Sequence, residues 1–178
     1  MKYTMFDDKD VLSIKEYAYA VGISFFIIGL LGILTDIIFP KIPFNLFVGF
    51  LLFIAGAISL YFTYTNNLKF SIKFLQPFVI LTSSLVLLAV PANHELISLL
   101  SILFYLFLDG FAKLIFSQAI RPIPFWNYIS YSGALSVVLA LSILIGWEIM
   151  NSWLLAFLIS VNILFDGLML FILSKKII

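Results

Sequence analysis

The sequence predicts an all-α integral membrane protein: six transmembrane helices in three repeated helical hairpins, with both termini cytoplasmic. Three observations carry this. Hydrophobic residues make up 63% of the 178 residues and charged residues 11%, against about 45–50% and 25% in soluble domains. Apolar stretches long enough to cross a hydrocarbon core, roughly 20 helical residues each, recur from end to end. The breaks between them are short and rich in proline or polar residues.

A short cytoplasmic segment, 1–16, comes first. It mixes both charge signs and has no apolar core, so a cleavable signal peptide is not expected. The first span is then expected to act as its own insertion signal. Spans are expected at about 17–39, 44–63, 72–91, 96–118, 125–147 and 152–174. They form hairpins at about 17–63, 72–118 and 125–174 within one domain. The break at Pro40, Lys41 and Pro43 ends the first span. Thr65-Asn66-Asn67 ends the second, and Pro91 through Glu95 ends the third. Gln118 through Pro124 ends the fourth, and Gly146 through Ser152 ends the fifth. Proline lacks the backbone N–H that a helix needs, and Asn and Ser compete for backbone hydrogen bonds.

Basic residues set the orientation. Lys2, Lys9, Lys15, Lys69, Lys73, Arg121, Lys175 and Lys176 fall on one side, and Lys41 on the other. Lys113 lies inside a span. The positive-inside rule puts the crowded side, and both termini, in the cytoplasm. Trp126, Tyr128, Trp147 and Trp153 sit near expected span ends, where interfacial rings are favoured. The hairpin repeat rests on Gly56, Gly110 and Gly167, each in the second helix of its hairpin, with spacings of 54 and 57 residues.

The informative polar residues are Asp109 and Asp166, each in mid-span and each followed by glycine. A charged side chain at the bilayer centre costs about 2.5–3.5 kcal/mol on insertion scales. Lys113 lies four residues after Asp109, and Asn162 four before Asp166, so each pair shares a helix face. A candidate intramembrane cluster of Asp109, Lys113, Asn162 and Asp166 is therefore expected where helices four and six approach. Two carboxyls facing one ammonium leave one without a counter-ion. Desolvation and like-charge repulsion are expected to keep a proton on it. The competing structural account has Lys113 snorkelling to the cytoplasmic end while the aspartates fix helix register.

The remaining features suggest less. His94 and Glu95 form an outward loop, Asp36 and Glu148 are expected at interfaces, and Ser132, Ser136 and Ala140 recur every four positions as a small-residue packing stripe. The same stripes leave room for a homo-oligomer. Cysteine is absent and histidine occurs once, so thiol chemistry and a cysteine or histidine metal centre are excluded. No catalytic residue, metal ligand or cofactor site is identified, and no GxSxG, HExxH or phosphate loop occurs. The net charge of +1 argues against nucleic acid. The expected partner is the lipid bilayer, and any small-molecule or ion substrate is left open.

The second-helix glycines, the proline-ended first helices and Trp126 followed by Gly133-Ala134-Leu135-Ser136 resemble the HdeD-like small membrane proteins over nearly the whole chain. Gly146-Trp147 departs from that pattern by standing where a proline is expected. The resemblance implies a non-enzymatic protein of the bacterial inner membrane that contributes to acid or general stress resistance. The alternative from the polar cluster is a small channel or proton-coupled transporter.

Overall fold

Helices account for almost every residue placed. The computed structural model describes residues 8–38, 43–65, 74–89, 95–121, 125–149 and 151–177. Six helices follow in order: α1 (Asp8–Ile38), α2 (Phe44–Thr65), α3 (Leu75–Ala89), α4 (Glu95–Ala119), α5 (Asn127–Ile145) and α6 (Ser152–Lys176). A 3-10 turn, Trp147–Ile149, links α5 to α6. All except α3 are long and apolar enough to cross a membrane. The 15 residues of α3 extend only about 22 Å at 1.5 Å per residue, and both of its expected flanks lie outside the described residues. The same is true of Pro40, Lys41, Lys69, Lys73, Pro91 and His94.

The start of α1 differs from the boundary that hydropathy alone suggests. The helix begins at Asp8, well before residue 17, and Ile14 and Tyr17 are already in the core. Hydropathy marks where apolar residues dominate, whereas a helix continues through polar residues as long as its backbone bonds are made. At α6 the start is a capped one. Asn151 has extended backbone angles, and its side chain accepts a hydrogen bond from the Leu154 amide at 2.9 Å. This satisfies one of the donors that a helix start leaves free. Phe125, two residues before α5, has φ 67°, an uncommon conformation for a bulky side chain.

The packing order is not the hairpin order. The most extensive helix contacts are α1 with α6, α4 with α5, and α2 with α3. Hairpin neighbours such as α1 and α2, or α5 and α6, also touch but over less length. The first and last helices therefore lie side by side and close the bundle. Val21, Phe25, Leu52, Ile80, Leu106, Ile143 and Ile159 fill the interior. The outward faces carry Phe26, Leu31, Phe53, Phe78, Phe104 and Leu144, an apolar surface suited to lipid.

The three recurring glycines lie on those extensive contacts. A Cβ at Gly167 of α6 would stand 2.7 Å from the Gly22 carbonyl oxygen of α1. One at Gly110 of α4 would stand 2.8 Å from the Gly133 carbonyl oxygen of α5. One at Gly56 of α2 would meet only side-chain atoms of α3, Leu81 and Ile80. Van der Waals packing is what holds helices together in lipid, and it requires this close approach.

Candidate functional site

Three helices each contribute two polar side chains one turn apart. Asp109 and Lys113 come from α4, Ser132 and Ser136 from α5, and Asn162 and Asp166 from α6. Spacing of four puts each pair on one face, and all six side chains are buried at the bundle centre. Lys113 is 2% exposed, Asp166 3% and Asp109 and Asn162 0%. Lys113 therefore does not snorkel. It turns inward and reaches across to α6. Helices α4 and α6 are not an extensive packing pair; α4 rests on α5 and α3, and α6 chiefly on α1. The lysine side chain, with its four methylenes, bridges what the backbones do not.

The Lys113 ammonium has three donors, and each has an acceptor. Nζ donates to Asp109 Oδ2, to Asp166 Oδ2 at 2.5 Å and to Ser136 Oγ at 3.1 Å. Ser132 donates its hydroxyl to Asp166 Oδ1. Both oxygens of Asp166 are thereby satisfied. Asp109 is less well served. Its Oδ2 also has Ser136 Oγ at 3.2 Å, but its Oδ1 has no hydrogen-bond partner among the described residues. Ser136 Oγ lies 2.9 Å from Asn162 Oδ1, while the Asn162 amide nitrogen is unpaired. The Ser132 carbonyl oxygen, 3.2 Å away, is a third acceptor, and one hydroxyl proton cannot serve all three at once.

The polar interior continues past the cluster. Tyr105, four residues before Asp109, is fully buried and within electrostatic reach of both carboxyls. On the α1–α2 side the Tyr17 hydroxyl lies 3.3 Å from Ser59 Oγ, and Thr63 donates to the Ser59 carbonyl at 2.7 Å.

A cavity of about 10 Å³ touches the cluster, room for about one water molecule. Its lining includes Lys113, Ser132, Asp166 and Phe116, which are buried, and Met169 and Gln76 of the first turn of α3, which are partly exposed. Asp109 does not line it. The cavity lies toward the end of the bundle where α4 and α6 finish and α3 and α5 begin. Lys113 is six residues from Ala119, about 9 Å along the helix.

The arrangement can hold, accept and release a proton, because carboxylates, hydroxyls and an ammonium touch one another inside an apolar shell. Among the described residues no three His, Cys, Asp or Glu side chains come together to hold a metal. Ser132 and Ser136 read in the sequence as packing residues only, and the structure adds a polar role. They and Ala140 are buried on α5 as a packing stripe requires, but the two hydroxyls also bond to Asp166, Asp109, Lys113 and Asn162. Their spacing of four, matching the Asp109–Lys113 and Asn162–Asp166 spacings, was the available signal. Glu148 is exposed on the 3-10 turn, and Arg121 lies with its guanidinium 4.9 Å from the Trp126 ring centre. No protein-family model, curated protein or solved structure gives a significant match to this chain.

Proposed function

We propose that this chain is a six-span, non-enzymatic protein of the bacterial inner membrane, with both termini cytoplasmic, built on three related hairpins. Its working part is a proton-binding site at Asp109, Lys113 and Asp166. The carrying observation is the charge count at a buried place: two carboxyls share one ammonium. Fully ionised, the trio has a net charge of −1 with no further counter-ion among its bonded partners. Removing an ion from water costs several kcal/mol even after relaxation. One proton cancels that charge, and its departure restores it. The site is thus a two-state electrostatic element within a packed bundle. Such an element suits a protein that contributes to acid or general stress resistance, the setting that the HdeD-like resemblance implies.

Infrared difference spectra of the protein in lipid, between neutral and acid buffer, test this. A buried carboxyl should gain its protonated C=O band on acidification. Asp109→Asn or Asp166→Asn should each remove that band, because either leaves one carboxylate matched to one ammonium. A wild type without the band, or a band that survives both substitutions, refutes the reading.

The cavity at Asp166 favours a second reading, proton-coupled transport. It is tested in liposomes carrying an internal pH dye, where Asp109→Asn and Asp166→Asn should each abolish a flux that the wild type shows.

A further inference from the structure

The two carboxyls are not equivalent, and their difference implies a direction of access. Resting on the proton-binding reading above, we propose that the proton enters and leaves the cluster through Asp166, by the small cavity that Gln76, partly exposed on the first turn of α3, helps to line. Asp109, 0% exposed, does not line that cavity.

Four observations support this. The cavity touches Asp166, Lys113 and Ser132 but not Asp109. Its volume, about 10 Å³, admits roughly one water, enough to relay a proton and too little for a solute. Ser132 bonds to Asp166 Oδ1 at the cavity wall, so a hydroxyl links the water position to the carboxyl. The Lys113 ammonium has no lone pair to take a proton, so of the two titratable groups lining the cavity Asp166 is the one that can bind it.

The surroundings of Asp166 match this assignment. From α4 it faces Lys113, with Asp109 and Tyr105 within electrostatic reach. From α5 it faces Ser132. Across the Gly167 contact, α1 presents the backbone of Gly22, Phe25 and Phe26. Tyr17 of α1 lies on the Asp109 side, where α2 adds Ser59 and Thr63. From α3 the cavity receives Gln76, polar and uncharged. Asp109 stands across the shared Lys113 ammonium, which contacts one oxygen of each carboxyl.

The test separates route from site. Proton uptake after a rapid pH drop is followed by time-resolved infrared spectroscopy on the protein in lipid. The comparison is between wild type, Met169→Phe, which fills the cavity, and Leu99→Phe, on the opposite end of α4. Met169→Phe should slow uptake several-fold and leave the final band intensity unchanged, while Leu99→Phe should leave the rate as in wild type. Gln76→Leu, at a partly exposed lining residue, supplies a second slowed variant should Met169→Phe not fold. Unchanged rates in the cavity variants, or slowing by Leu99→Phe alone, overturn the route while leaving the site intact. A wild type with no titrating buried band fails the proton-binding reading itself.

Discussion

Lys113→Met is the substitution that most directly tests the cluster. Methionine matches the aliphatic stem but removes the charge and all three ammonium donors. Asp109 and Asp166 would then face each other with no cation, and Asp109 Oδ2 and Asp166 Oδ2 would each lose a charge-assisted bond. Deleting one partner of a buried ion pair costs about 3–5 kcal/mol. That is roughly two to four powers of ten in the unfolding equilibrium, at about 1.4 kcal/mol per tenfold. The full range applies because the Lys113 side chain is 3% exposed and water screens little of the interaction. Reversible unfolding of the protein in mixed micelles, followed by circular dichroism against added SDS, measures the loss. The triple variant Asp109→Asn, Lys113→Met, Asp166→Asn should recover most of it, since a neutral cluster leaves no stranded charge. A loss below about 1 kcal/mol for Lys113→Met, the size of an exposed pair, would refute the buried-bridge account.

Other expectations follow from the same geometry. Gly167→Ala should destabilise the fold more than Gly56→Ala, because the new methyl meets α1 backbone in one case and α3 side chains in the other; the same SDS titration ranks them, and equal losses would show that the α1–α6 contact tolerates repacking. Gly110→Ala should resemble Gly167→Ala, since it meets the Gly133 carbonyl. Asn151→Ala removes the α6 cap and should cost about 1 kcal/mol, with faster amide hydrogen exchange confined to the first turn of α6. Ser132→Ala removes the Asp166 hydroxyl partner and should slow proton uptake in the infrared experiment without removing the titrating band.

Much of the site can be read from spacing alone. Lys113 follows Asp109 by four, and Asn162 precedes Asp166 by four, so two polar faces are visible before any helix is placed. Their meeting is not visible in that way. Helical periodicity says which residues share a face and says nothing about which helix lies opposite. Periodicity makes α4 and α6 look like packing neighbours, whereas each packs more extensively on other helices and the lysine spans the distance. For the same reason Ser132 and Ser136 read as packing residues: a serine is small enough for a helix contact and polar enough for a carboxylate, and only its neighbours decide. The recurrence of glycine at residues 56, 110 and 167 is legible as a repeat, but the partner of each is not. Gly167 meets the first helix of the chain, a contact between residues 145 positions apart (167 − 22 = 145).

That contact sets a waiting time. At a synthesis rate of about 5–20 residues per second, Gly22 is made roughly 7–30 s before Gly167 exists to cover it. During that interval the Gly22 and Gly29 positions of α1 lack the α6 residues they pack against. Any other small-residue helix nearby can occupy that face first. The glycine face of α1 is therefore completed only when α6 arrives. Inserting residues near the C-terminal end of the chain should disturb assembly at its beginning.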